Sequence, residues 1–147
     1  MKVLISEDAS FVRKRYVHLV SRLPSVTSVV ETSDVADTVQ AILAERPALV
    51  LLDFHLPAGT ALDVMRSLDD GDDRTRYFVL SASTEDIPMD LCLEAGAERV
   101  FDKAAQLLEA LSAVRAIAIE NERFIAVTEN HGHDLSSAPG ARGADNV

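Results

Sequence analysis

The feature that most constrains this chain is the run Ala48-Leu49-Val50-Leu51-Leu52, apolar without alternation and ending abruptly at Asp53. A strand with one wet face alternates apolar and polar residues, whereas this run leaves neither face for water. It suits the centre of a parallel sheet covered by helices on both sides. Other short runs share its form. Val3-Leu4-Ile5 ends in Glu7-Asp8, Tyr77-Phe78-Val79-Leu80 ends at Ser81, and Arg99-Val100-Phe101 leads to Lys103. The segment from Val26 to Val30 is β-branched and strand-like.

Helical spacing fills the intervals. Val12, Tyr16, Leu19, Val20 and Leu23 form one stripe, stopped by Pro24. Asp34 is placed to cap a helix bearing Val35, Val39, Ile42 and Leu43, which ends before Pro47. Ala61, Val64, Met65 and Leu68 give a third stripe, and a short helix is expected between Pro88 and Gly96. The last helix starts near Ala105, with Leu107, Leu111, Val114 and Ala118 on one face. Five β–α units predict an α/β doubly wound domain, flavodoxin-like (βα)5, with right-handed crossovers and a five-stranded parallel sheet. The strand order expected for that class is 2-1-3-4-5. The last helix is expected to extend through Ile117, Ile119 and Phe124, longer than closing the core requires, so these residues either make a homodimer or partner contact or fold back on the domain. Residues 1–122 are assigned to the domain, and 123–147 to the helix end and a polar tail, disordered from roughly residue 130.

The net charge of −10 argues against nucleic-acid binding by this chain, because phosphate affinity needs clustered Lys and Arg. Part of the acid excess, Asp69, Asp70, Asp72 and Asp73 around Gly71, reads as a solvated loop without the remaining ligands of an EF-hand. The single Cys92 rules out an internal disulfide and reads as a reduced core thiol. His131 and His133 lack further ligands and make a poor metal site. No stretch has the roughly 20 apolar residues of a membrane helix, and MKVLISED meets acids too early for a signal peptide. The expected compartment is the cytoplasm.

Sites in open parallel sheets form at the carboxyl ends of the strands. Glu7, Asp8, Asp53, Ser81 and Lys103 all stand at or just beyond predicted strand ends and should converge on one edge. Three carboxylates brought together repel one another, and Mg²⁺, a hard cation with oxygen ligands, relieves the repulsion. A carboxylate beside Mg²⁺ can attack a phosphoryl donor, while Lys103 adds positive charge and Ser81 a hydroxyl. Singly each residue has a plainer reading, as a helix cap, loop acid or surface lysine; their order and placement carry the argument.

Over about residues 1–120 the chain resembles the receiver domains of two-component response regulators. The resemblance rests on Lys2-Val-Leu-Ile-Ser-Glu-Asp8, Leu51-Leu-Asp-Phe-His-Leu-Pro57, Leu80-Ser-Ala82 and Gly96-Ala-Glu-Arg-Val-Phe-Asp-Lys103. It implies that Asp53 is the phosphoacceptor, that Glu7 and Asp8 are the acidic pair, and that the backbone carbonyl of His55 is a further Mg²⁺ ligand. Ser81 and Phe101 then correspond to the switch residues, and Lys103 to the phosphate-pairing lysine. The implied donor is a phosphohistidine on a sensor kinase or histidine phosphotransfer protein. The implied readout is a protein contact on the face of the fourth helix, fifth strand and fifth helix, with only slow self-hydrolysis of the phosphoryl group. Too little chain follows the last helix for an output domain, so a stand-alone switch is expected.

Three departures from the family pattern stand out. Ala104 follows the lysine where a cis proline is usual; a cis Lys-Ala bond would cost about 2.5–4 kcal/mol, so a trans bond or altered loop is expected. Ala61 replaces a common glycine. His55 and Ser83 occupy positions that flank the phosphoryl group, and His55 reads as a loop residue more readily than as an acid or base. Two other function classes remain open at this stage: an adaptor that works without phosphorylation, and an aspartyl phosphohydrolase, against which His55 stands where such enzymes carry a second acid.

Overall fold

The computed structural model describes residues 1–68 and 74–136, the last six as helical backbone only. The elements in chain order are β1 (Lys2–Ser6), α1 (Ser10–Ser21), β2 (Ser28–Thr32), α2 (Val35–Glu45), β3 (Leu49–Asp53), β4 (His55–Leu56), β5 (Gly59–Thr60), α3 (Ala61–Ser67), β6 (Arg76–Ser81), α4 (Met89–Glu94), β7 (Ala97–Asp102) and α5 (Leu107–Ser136). The acidic run at Asp69–Asp73, the tail from residue 137 and the side chains of His131 and His133 lie outside the described residues.

Five strands pair in parallel in the order β2-β1-β3-β6-β7. Counted within that sheet alone, this is the expected 2-1-3-4-5. All five residues of β3 are buried, and their side chains split by parity. Leu49 and Leu51 join Val3, Ile5, Phe78, Val114 and Ile117 in a core beneath α1 and α5. Val50 and Leu52 join Leu4, Val79, Ile42, Val64 and Cys92 in a core beneath α2, α3 and α4. The two faces need two separate helical layers because strand side chains alternate sides. Cys92 is fully buried, and burial pushes its thiol pKa up, in keeping with an inert core residue.

Local chemistry sets the helix ends. The Asp34 carboxylate accepts from the Asp37 N–H at the start of α2, as its capping position predicts. Thr60 and Asp63 form a reciprocal capping box on α3. Gly96 closes α4 at φ +115°, a conformation that L side chains rarely adopt. Three outlines differ from the sequence reading. β2 lies two residues later than predicted, because pairing of Lys2 with Ser28 through Ser6 with Thr32 sets its span, not its β-branched content. The β4–β5 hairpin was not foreseen; its strands are too short to show a period. α5 continues to Ser136, past the expected onset of the tail near residue 130, since propagating a helix adds a hydrogen bond per residue and no proline intervenes.

Of the three apolar residues expected along the extended helix, Ile117 folds back into the core, whereas Ile119 and Phe124 are exposed. Among the described residues no helix is long and apolar enough to cross a membrane.

Both faces of β3 should be equally sensitive. Leu51→Ala and Leu52→Ala are each expected to lower the unfolding free energy by about 3 kcal/mol in urea titrations. Leu108→Ala, at a position 79% exposed, should change it by less than about 0.5 kcal/mol.

Candidate functional site

The parallel sheet delivers the ends of β1, β3, β6 and β7 to one edge, and the predicted polar residues meet there. Glu7 follows β1 and donates its backbone N–H to Thr32 O at 3.1 Å, which ties it to the end of β2. Asp53 is the last residue of β3. Beyond it the chain is held by Phe54 N–H donating to Leu80 O at 2.8 Å, and Ala61 N–H donating to Phe54 O at 2.8 Å. Ala61 is therefore a buried first residue of α3 that closes the β3–α3 loop.

Glu7 and Asp53 are buried, and Asp8 is exposed. One carboxylate oxygen from each of the three lies within 4.8 Å of the others. The Lys103 ammonium reaches in from the end of β7, 2.7 Å from Glu7 Oε2 and 3.0 Å from Asp53 Oδ1. It is the one cation paired with this cluster among the described residues, so three carboxylates face a single ammonium. Burial, reinforced by the hydrogen-bonded Asp53 carboxylate, raises the pKa of Glu7 to about 7 against the opposing pull of Lys103. Burial pulls Lys103 the other way, but hydrogen bonds and charge from Glu7 and Asp53 outweigh it and leave its pKa above the ordinary lysine value. An excess of buried carboxylate oxygen suits a hard divalent cation, and Glu7, Asp8 and Asp53 are the side chains able to hold one.

Ser81 is buried at the end of β6, with its hydroxyl donating to Ser83 O at 2.8 Å and accepting from Ser83 N–H at 3.3 Å. Phe101 is fully buried, edge-on to Phe78 at a centroid distance of 5.5 Å, with the Arg99 guanidinium 4.5 Å from its ring centre. His55 is exposed in β4, its ring edge-on to Phe54, and its side chain joins none of the carboxylates. The Lys103–Ala104 bond is trans. Asp102 Oδ1 accepts from the N–H groups of Ala104 and Ala105 at 2.9 and 2.8 Å, so the loop is shaped by side-chain acceptance.

Two contributors were not singled out from the sequence. Tyr16, read only as part of a helical core stripe, is buried with Lys103, Glu7 and Asp53 in its electrostatic surroundings, and burial raises its phenol pKa. Arg13 donates to the Glu7 carbonyl at 2.8 Å and pairs with Glu31. A basic residue in the first turn after the acidic pair is the only sequence signal for the latter, and it is not specific.

Residues 3–115 match the model of the response regulator receiver domain. The chain is 29% identical over 117 residues to the DNA-binding transcriptional activator DevR/DosR of Mycobacterium tuberculosis, covering 80% of this chain and 54% of that protein. It is 37% identical over 68 residues to the sensory transduction protein LytT of Enterococcus faecalis, covering 46% of this chain and 28% of that one. The chain thus spans about half, or less, of the length of these relatives. Among solved structures, the signal receiver domain of an M. tuberculosis protein assigned as the response regulator NarL aligns with a TM-score of 0.70 and 28% identity, over 80% of this chain and 94% of that one. A LuxR-family two-component response regulator from Aurantimonas sp. aligns with a TM-score of 0.73 at 23% identity, over 81% and 85% of the two chains, and speaks to the fold alone.

Crowding at the cluster predicts opposite effects for its two kinds of residue. In metal-free buffer near pH 8, Lys103→Met should lower stability by about 2 kcal/mol by leaving buried carboxylates without their cation. Asp53→Asn should be neutral or stabilising, since it removes one of the two buried carboxylates. Urea denaturation of the two variants in EDTA checks the pair.

Proposed function

The chain belongs to the response regulator receiver domains, and from that premise we propose that it is a phosphoacceptor switch in which Asp53 takes a phosphoryl group from a phosphohistidine. The observation that carries the reading is the Lys103 ammonium seated between Glu7 and Asp53, 2.7 and 3.0 Å away. A lysine so placed neutralises a buried carboxylate at rest and can turn its charge to a phosphoryl oxygen once Asp53 is esterified.

The transfer balances as a displacement. An Asp53 carboxylate oxygen attacks phosphorus, the P–N bond of the donor breaks, and the electron pair leaves with the imidazole nitrogen, which then takes a proton. Glu7, Asp8 and Asp53, with the backbone carbonyl of His55, would hold Mg²⁺. When bound, this ion neutralises charge spread over the phosphoryl oxygens. The Ser81 hydroxyl, bonded to Ser83 O at rest, is free to reorient to a phosphoryl oxygen, because its present partner lies in its own loop. Such a change would alter the neighbourhood of Phe101 on β7. The face of α4, β7 and α5 is the proposed output surface, where Met89 and Leu93 leave exposed apolar surface on α4 for a protein partner. The proposed donor is a sensor histidine kinase or a histidine phosphotransfer protein, and the proposed compartment is the cytoplasm.

Incubation with acetyl phosphate and Mg²⁺ is expected to add one phosphoryl group by intact mass, with none added in EDTA or to Asp53→Asn. Failure of the protein to take up either a phosphoryl group or beryllofluoride would leave the phosphorylation-independent adaptor as the reading. Mg²⁺ at a hundredfold excess over its Kd should raise the unfolding free energy by about 2.7 kcal/mol. Thermal denaturation should show that gain largely abolished in Asp8→Asn, with Asp8 acting as a ligand rather than a structural acid.

A further inference from the structure

We infer that Asp102 is a positioning residue, whose carboxylate holds the turn that aims Lys103 at Glu7 and Asp53; the inference rests on the phosphoacceptor reading. Lys103 lies at a point where the chain leaves the sheet, and a long flexible side chain there has many rotamers to lose. Its aim depends on how firmly the backbone beneath it is held. On the sheet side, Asp102 pairs in register with Ser81, and Lys103 N–H donates to Ser81 O at 2.8 Å. On the far side, the sheet offers nothing, and Asp102 takes over. Its Oδ1 accepts from the N–H groups of both Ala104 and Ala105, at 2.9 and 2.8 Å.

The clamp is reciprocal. Asp102 N–H donates to Gln106 Oε1 at 2.9 Å, while Gln106 N–H donates to Asp102 O at 3.0 Å. The Gln106 side-chain amide donates in turn to Glu109 Oε2 at 3.1 Å, which links the turn to the first turn of α5. Lys103 is thus bracketed by hydrogen bonds before and after it, and the bracket needs N–H groups at residues 104 and 105. It also needs an acceptor at 102. Glu7 and Asp53 contact the lysine head, and among the described residues Asp102 and Gln106 secure the turn beneath its stem on the helix side.

The test compares initial phosphorylation by acetyl phosphate, with donor concentration varied, in the full chain and in Asp102→Ala, Asp102→Asn, Lys103→Ala and the Asp102→Ala/Lys103→Ala double variant. Misaiming a catalytic group by a fraction of an ångström to an ångström costs on the order of tenfold or more, so Asp102→Ala should lower the maximal rate roughly tenfold and leave the half-saturating donor concentration unchanged. Asp102→Asn, which keeps the acceptor oxygen, should restore the rate to within about twofold of the parent. In the Lys103→Ala background the Asp102→Ala change should have no further effect.

Amide hydrogen exchange at Ala104 and Ala105 supplies a readout that needs no phosphorylation, and it should quicken in Asp102→Ala but not in Asp102→Asn. A parental rate in Asp102→Ala, failure of Asp102→Asn to restore it, full additivity with Lys103→Ala, or unchanged exchange at both amides would each overturn the inference. If the parent protein itself takes no phosphoryl group, the phosphoacceptor reading fails and the positioning role falls with it, whatever the exchange data show about the clamp.

Discussion

Both faces of β3 lose contact with water, and almost everything else in the molecule follows from meeting that demand. Its Leu49 and Leu51 must be covered from one side and its Val50 and Leu52 from the other, so helices are required in two layers. Connecting parallel strands through those layers with right-handed crossovers brings the strand ends to a common edge. Asp53 is buried because it terminates this strand, and the same geometry brings Glu7, Ser81 and Lys103 around it. The site is a consequence of how the sheet is covered, at the one place where backbone leaves the core in several strands at once.

Electrostatics at that edge are deliberately unbalanced. Among the described residues, the two buried carboxylates share the Lys103 ammonium beside the exposed Asp8, and burial with the Asp53 carboxylate raises the pKa of Glu7 to about 7. A buried ion pair of this kind is weak evidence for stability, since desolvation opposes the attraction. Its value lies in poise: the excess negative charge favours a divalent cation, and the lysine has two alternative acid partners already within reach. Tyr16 and Arg13 add to the frame from α1, one buried in the core within the electrostatic reach of the charges and the other holding the Glu7 carbonyl. Ser81 and Phe101 lie on adjacent strands next to that edge, Leu80 facing Phe101 and Ser81 facing Asp102 in register.

The loops show how one fold tolerates different local solutions. Ala61 serves as a buried helix start bonded to Phe54 O, and the turn after Lys103 is built on a trans peptide with the Asp102 carboxylate as acceptor. Neither residue belongs to the Glu7, Asp8 and Asp53 carboxylate cluster. The long α5 divides along its length: Val114, Ile117 and Ala118 close the core, while Phe124, Ile125 and Val127 leave apolar surface exposed farther along the helix.

The layer order, the strand ends and the acids that stand on them were legible in the sequence, because each depends on local quantities. An unbroken apolar run reports double burial, helical spacing reports a covering face, and an acid after a strand reports an edge position. Asp34 as a cap and Gly96 as a helix stop were readable for the same reason. Other features have no local signature. The division of Glu7 and Asp8 into a buried and an exposed acid depends on which way the chain turns after β1. The reach of Lys103 to Glu7 spans 96 positions of sequence. The burial of Tyr16 within reach of the charges and the pairing that moves β2 to Ser28–Thr32 likewise arise only when separate segments meet, and the bonds from Ala104 and Ala105 to Asp102 only when the backbone turns. Periodicity is set by how each residue partitions between water and core, and so can be read along the chain. Hydrogen bonds and ion pairs are set by distances of about 3 Å between groups, which only the folded backbone defines.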